Sequence, residues 1–295
     1  MIRIRFPASP LEHVGFAVSP LLECVLSLHV LTGPQHHALQ HDWVRRMRAL
    51  DPALKRRIDA FAFLYRWHLP DLLVPSPVGR PPEFEEELDR MVALDPEVLV
   101  AAFGRPLYDH GGRPEALRSP RAQARMLERA TDEGGDAPAL AQRLIDDPPA
   151  FAGEFRALLE DYWTAAFAEE WDRVEPVVAD AIAEAGRTLA TAGIWPVLGK
   201  LPGRCRVDPD RDELVIDIPH DHDLEVSETS PLLLVPSVFA WPHLRVNCDP
   251  PWPLALVYAA PALADFLGTA GKVASSAATR ACSKSTSSEP FVRCR

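Results

Sequence analysis

Phe151-Ala-Gly-Glu-Phe-Arg-Ala-Leu-Leu-Glu-Asp-Tyr-Trp-Thr-Ala-Ala-Phe-Ala-Glu-Glu-Trp171 decides the fold class. Phe151, Phe155, Leu158, Leu159, Tyr162, Trp163, Phe167 and Trp171 fall at helical spacing, a broad aromatic stripe on one helix face. A stripe of this kind faces a core, and it also suits the wall of an apolar cavity. The pattern resumes after Pro176 with Val177, Val178 and Ile182, which predicts a kink near Pro176. Beyond Gly193 the period changes from helical to strand-like. Residues 204–207, 213–218, 232–235, 243–248 and 254–258 then read as the strands of a small antiparallel sheet.

Upstream, Ile2-Arg-Ile-Arg-Phe6 alternates as a short half-buried strand. Ser19-Pro20 opens a helix, since serine caps free N–H groups and proline suits the first turn; Gly33-Pro34 closes it. Helices are predicted over 35–50, 52–67 and 82–94, the last with acidic residues in its first turns to complement the helix dipole. Arg45, Arg46, Arg48, Lys55, Arg56 and Arg57 read as a solvated basic face, and Gly111-Gly112 and Gly134-Gly135 as loops. The expected class is α+β: a mainly helical region over 1–193, a small antiparallel sheet over 194–267 packed on it as one domain, and a disordered tail over 268–295 that lacks apolar periodicity.

The net charge of −11 makes the chain as a whole a poor nucleic-acid binder. No signal peptide and no run of about 18 apolar residues is visible, so neither secretion nor membrane insertion is expected. Cys24, Cys205, Cys248, Cys282 and Cys294 are scattered, odd in number and without a CxxC pair, which fits reduced thiols in the cytoplasm.

Motifs for chemistry are sparse. His220-Asp-His-Asp223 offers suitable ligand atoms, but adjacent side chains rarely converge on one ion, and the run reads as a solvated loop. His37 and His41, with His36 beside them, are predicted on one helix face; the HExxH glutamate is missing, which disfavours a zinc hydrolase. GxSxG, P-loop and GxGxxG motifs are absent, and no catalytic, cofactor or metal residue is assigned. The aromatic residues Tyr162, Trp163, Phe167, Phe239, Trp241 and Trp252 are the candidates for an apolar pocket, beside the plainer reading of core packing.

Several segments together resemble a bacterial family of domains that precede an arsenic-repressor-like (ArsR-type) winged helix. They are Met1-Ile-Arg-Ile-Arg-Phe, Phe16-Ala-Val-Ser-Pro-Leu-Leu-Glu, His68-Leu-Pro-Asp-Leu-Leu and Asp161-Tyr-Trp. The most specific is Leu232-Leu-Leu-Val-Pro-Ser-Val-Phe-Ala-Trp-Pro, followed by Asp249-Pro-Pro-Trp and Leu256-Val-Tyr. The resemblance implies a transcriptional regulator whose C-terminal winged helix binds DNA and whose N-terminal part senses an effector or forms a homodimer. Leu263-Ala-Asp-Phe-Leu-Gly resembles the lead-in to that winged helix, but the serine-rich text after it carries no helix-turn-helix pattern. The expectation is a regulator truncated by a frameshift to its sensing or dimerisation domain. A stand-alone small-molecule-binding or protein-interaction module is the alternative, and an enzyme with an unrecognised site the third class.

Overall fold

The computed structural model describes residues 1–75, 80–107, 119–201, 205–218 and 221–261. The tail over 268–295, the helical start at 262–267, Gly111-Gly112, Arg204 and His220 lie outside the described residues. The chain is α+β. Among the described residues, strands β1 (Ile2–Arg5) and β2 (Val14–Phe16) precede ten α-helices, and six strands follow. The helices are α1 (Pro20–Thr32), α2 (His41–Met47), α3 (Pro52–Ala60), α4 (Phe84–Val92), α5 (Pro96–Gly104), α6 (Pro120–Glu133), α7 (Ala137–Asp146), α8 (Pro148–Tyr162), α9 (Ala168–Ala192) and α10 (Ile194–Leu198). The later strands are β3 (Cys205–Asp208), β4 (Glu213–Ile216), β5 (His222–Glu225), β6 (Leu232–Ser237), β7 (Arg245–Asn247) and β8 (Leu254–Ala259).

Helix α1 begins where the sequence puts it. Ser19 Oγ accepts from Leu22 N at 2.9 Å, and Pro20 occupies the first turn. Every residue from Pro20 to Val30 is buried, so the helix runs through the core instead of over it. The buried carboxylate of Glu87, from α4, completes its N-terminus by accepting from Ser19 Oγ and Leu21 N, each at 2.9 Å.

The single antiparallel sheet expected from the sequence is corrected to two four-stranded mixed sheets, ordered β3-β4-β1-β5 and β2-β6-β8-β7. The first 16 residues return to pair with strands more than 200 residues later. β1 lies antiparallel to β4 and parallel to β5, while β6 lies parallel to both β2 and β8. The physical reason is burial on two faces. Leu232, Leu234, Leu254 and Leu256 pack toward β1, β4 and α10, whereas Leu233, Val235, Ala255 and Val257 pack into the helical core. Strands covered on both faces read as continuous apolar runs and favour parallel pairing. The result is three layers: helices, a two-faced middle sheet and an outer sheet.

Other boundaries differ locally. The run read as a solvated loop holds β5, because Arg3 and Arg5 of β1 each come within 3.6 Å of Asp223. Residues 35–50 are two 3-10 turns (Pro34–His36, Ala38–Gln40) before α2, and the helix predicted over 52–67 stops at Ala60. The aromatic helix departs from α geometry at a π-helical turn, Trp163–Phe167, and α9 then runs unbroken through the exposed Pro176. Two residues of the basic face reach these helices: Arg57 pairs with Asp161 of α8, and Arg46 with Glu170 of α9 at 2.7 Å. No helix among the described residues is long and apolar enough to cross a membrane.

Burial pushes the Glu87 carboxyl up from 4.5 to about 7, against the Leu21 and Ser19 donors and Arg90. A carboxyl whose folded pKa lies above its unfolded one contributes stability fully below the unfolded value and loses it as pH rises toward the folded value. Glu87→Gln keeps the acceptor oxygen and cannot ionise. Between pH 4.5 and 7.5 the wild type therefore loses up to about 3 kcal/mol relative to the variant, measured by urea unfolding at both pH values.

Candidate functional site

The segment Ser237-Val-Phe-Ala-Trp-Pro242, part of the most specific sequence motif, leaves the end of β6 and must satisfy its own backbone groups in the interior. Three side chains do so from the helical layer. Glu23 of α1 accepts from Val238 N at 2.9 Å and Phe239 N at 3.4 Å. Gln40 Nε2 donates to Val238 O at 3.0 Å, and His37 Nδ1 donates to Trp241 O at 2.8 Å. Ser237 Oγ accepts from Phe239 N and Ala240 N, which turns the chain. A second turn, with a cis Trp241–Pro242 bond, is closed by His243 N donating to Ala240 O and delivers His243 and then β7.

This geometry brings together three histidines that are far apart in sequence. His29, on the last turn of α1, His37, between the two 3-10 turns, and His243 each offer a ring nitrogen within 4.8 Å of the others. Their rings meet edge-on, with centroids 5.1, 5.8 and 6.1 Å apart. His29 and His37 are buried and His243 is exposed, so the cluster opens to solvent on one side. His29 Nδ1 donates to Tyr65 O at 2.6 Å, a carbonyl that only accepts. That bond places the proton on Nδ1 and leaves a lone pair on Nε2, which is buried with no hydrogen-bond partner among the described residues.

Arg245, on β7, is the fourth member. Its Nε is buried without a partner, and no carboxylate among the described residues pairs with the guanidinium. Loss of hydration draws the Arg245 pKa down to about 10. His29 is pushed down to about 3, first by burial and then by the Arg245 charge, with the Tyr65 carbonyl opposing. His37 and His243 shift the same way, also chiefly by burial. The site therefore combines neutral imidazoles with a cation that no carboxylate among the described residues pairs. Such groups are costly to bury and are commonly kept for a ligand.

A second cluster, His222, Cys248 and Asp249, also has ligand atoms within 4.8 Å of one another and contains one residue of the His220–Asp223 run. It is the weaker candidate. Asp249 is engaged by Arg105, which also holds Asp71 at 2.9 Å, and burial, with the Asp249 charge, pushes the Cys248 thiol up to about 12. The Asp71–Arg105–Asp249 group joins two sequence motifs and fastens the 71–73 turn and the end of α5 to the end of β7. An open groove of about 350 Å³ beside Arg80, Pro82, Glu86, Asp89 and Arg90 is lined by charges already paired: Arg80 with Glu86, and Asp89 with Arg156.

The aromatic candidates are brought together in part. Trp43, Phe167 and Phe239 form a triangle of rings 5.6 to 5.9 Å apart, with Tyr162 stacked 6.3 Å from Phe167. Trp163 stacks on Phe84 at 4.0 Å, and Tyr162 OH meets Ser27 Oγ at 2.8 Å. Trp241 and Trp252 are half-buried at the margin of this core, and Trp241 lends its carbonyl to His37. His37 and His41 do not share a helix face, because Gly33-Pro34 and the bonds from His37 and Gln40 to the 238–241 segment break the helix into turns. His29, His243 and Arg245 were not picked out by sequence. The available signal was a histidine and an arginine set within otherwise apolar elements, Leu28-His29-Val30 and Leu244-Arg245-Val246.

Arg245 is partly buried with no carboxylate among the described residues to offset the lost hydration, an arrangement expected to lower the stability of the free protein. Arg245→Met is expected to raise stability by about 1 kcal/mol or more in dilute buffer free of metals and multivalent anions, measured by thermal or urea unfolding at pH 7.

The model of a family of unknown function, DUF5937, matches residues 1–264, and the chain belongs to that family. No curated protein and no solved structure matches it.

Proposed function

We propose that this DUF5937 protein is the ligand-sensing domain of a transcriptional regulator of ArsR type, with His29, His37, His243 and Arg245 as its effector site. The observation that carries the sensing half is the partly buried polarity of that site, which among the described residues leaves Arg245 without a carboxylate and His29 Nε2 without a donor. Groups so placed stabilise the fold only when a ligand completes them, which is the condition for a sensor. The regulator half is supported by the resemblance of Phe16–Glu23, Leu232–Pro242 and Asp249–Trp252 to domains that precede ArsR-type winged helices. The net charge of −11 fits a domain that leaves DNA recognition to a separate winged helix. In this reading the protein works in the cytoplasm, where Cys24, Cys205 and Cys248 stay as thiols, forms homodimers as ArsR-type proteins do, and carries out no reaction. The second reading, a stand-alone small-molecule-binding module, is favoured by the same site and differs only in having no role in transcription.

A ligand at one hundred times its Kd raises stability by about 2.7 kcal/mol, so thermal melting against a panel of small carboxylates, phosphates and metal salts reads the sensing half directly. The expected result is a ligand-specific rise that Arg245→Met abolishes; a flat panel overturns sensing. Fluorescence anisotropy with DNA from upstream of its own gene is expected to show no sequence-specific binding by this chain, and tight, specific binding would overturn the separation of sensing from DNA recognition. Transcription of the neighbouring genes is expected to change with the effector in cells that carry the gene and not in a deletion strain. Transcription indifferent to both selects the stand-alone module.

A further inference from the structure

We propose that His29, His37 and His243 hold one divalent cation of the zinc class, and that its open coordination position, beside Arg245, takes a small carboxylate or phosphate. The proposal rests on reading this cluster as a ligand site and names what the site binds.

The donor geometry comes first. Both buried histidines give Nδ1–H to a backbone carbonyl, His29 to Tyr65 at 2.6 Å and His37 to Trp241 at 2.8 Å. The nitrogen left to each is Nε2, which keeps the lone pair. A histidine whose other nitrogen is fixed by a carbonyl is the usual metal-ligating arrangement, because that bond sets both tautomer and ring orientation. One ring nitrogen from each of the three histidines already lies within 4.8 Å of the other two. Zinc–nitrogen bonds of about 2.0–2.1 Å in a tetrahedral site require nitrogen separations of about 3.4 Å. His243 is exposed on a turn and can close that difference, while His29 and His37 are held by their carbonyl bonds.

The choice of a cation follows from the lone pairs. Neutral imidazoles presenting Nε2 lone pairs repel an anion, and imidazole nitrogen suits zinc and its neighbours among the transition metals. A metal bond also accounts for His29 Nε2, an acceptor buried with no hydrogen-bond partner among the described residues. Three protein ligands leave a fourth tetrahedral position open, as in sites that bind an exchangeable ligand. Arg245 supplies a reason for that ligand to be anionic. It opens β7 two residues after His243, its Nε is buried without a partner, no carboxylate among the described residues pairs with it, and planar donors of this kind match carboxylate and phosphate.

The test uses the full chain, stripped of metal and titrated with Co²⁺ as a spectroscopic stand-in for Zn²⁺. One equivalent is expected to give the visible absorption of tetrahedral cobalt, displaced by Zn²⁺. His243→Ala, at an exposed position that leaves the fold intact by circular dichroism, is expected to weaken Co²⁺ binding by about a hundredfold. Inorganic phosphate or acetate is expected to shift the cobalt bands in the wild type and not in Arg245→Met. Absence of tetrahedral bands, or binding that His243→Ala leaves unchanged, overturns the metal site; the latter result places the cation elsewhere, as at His222, Cys248 and Asp249. If no metal binds but phosphate or acetate raises the melting temperature in an Arg245-dependent way, the metal proposal fails and the sensing reading stands. If neither probe has an effect, both fail.

Discussion

A helix with no solvent-facing side must have its polar side chains answered from other parts of the chain, and α1 is such a helix, with His29 Nε2 left open among the described residues. Its start is completed by Glu87 of α4. Glu23 holds the backbone of Val238 and Phe239 at the end of β6. Ser27 meets Tyr162 at the end of α8, and His29 meets the carbonyl of Tyr65 after α3. Four polar groups along one helix thus reach four separate segments. Each bond contributes only about 1 kcal/mol when made, but a partner left alone in the interior costs more than that, so the contacts specify one arrangement more strongly than they stabilise it.

The middle sheet imposes the second constraint. β6 and β8 alternate their residues between two cores, so a one-residue slip would exchange the side chains of both cores at once. Register is therefore tightly set, and the strands that flank this pair can be short. β2 and β7 have three residues each and occupy the two edges of that sheet. The edge position of β7 matters for the site: the turn before it carries His243 and its first residue is Arg245, at the margin where the helical layer and the sheet meet solvent.

Element type was largely readable from the residues. The α1 cap at Ser19, the aromatic period of α8 and the apolar runs of β6 and β8 all depend on local spacing, and local spacing is what a sequence displays. Pairing was not readable. Nothing in Ile2-Arg-Ile-Arg5 states that one neighbour will be residues 213–216 and the other residues 222–225. The π turn at Trp163–Phe167 was hidden for a different reason: it preserves the apolar stripe while shifting its phase, and Pro176 was the more obvious helix breaker. The histidine site was the least legible. His37 looked like the partner of His41 because they are close in sequence, whereas its actual neighbours, His29 and His243, arrive through the α1 terminus and a turn 206 residues farther on than His37. Tyr162, Trp163 and Phe167 stand out by helical spacing, and Phe239, Trp241 and Trp252 by their place around the sheet, and neither signal distinguishes rings packed against each other from rings around a cavity.

The site lies at the junction of the elements that α1 organises, and this bears on how a ligand there would act. His29 belongs to α1, His37 to the turns that hold the 238–241 segment, and His243 and Arg245 to the edge of the middle sheet. A ligand that draws these four together tightens the helical layer against the sheet, and its binding free energy appears as stability of that junction. Arg245 is also the register partner of Val257 in β8, the strand that leads to residue 261 and onward. A change in the position of Arg245 therefore reaches β8 through one rung of an antiparallel ladder, without any need for a long chain of contacts. In a sensor whose output domain follows the sensing domain, this is a short covalent and hydrogen-bonded route from the ligand to the strand that leads toward the output.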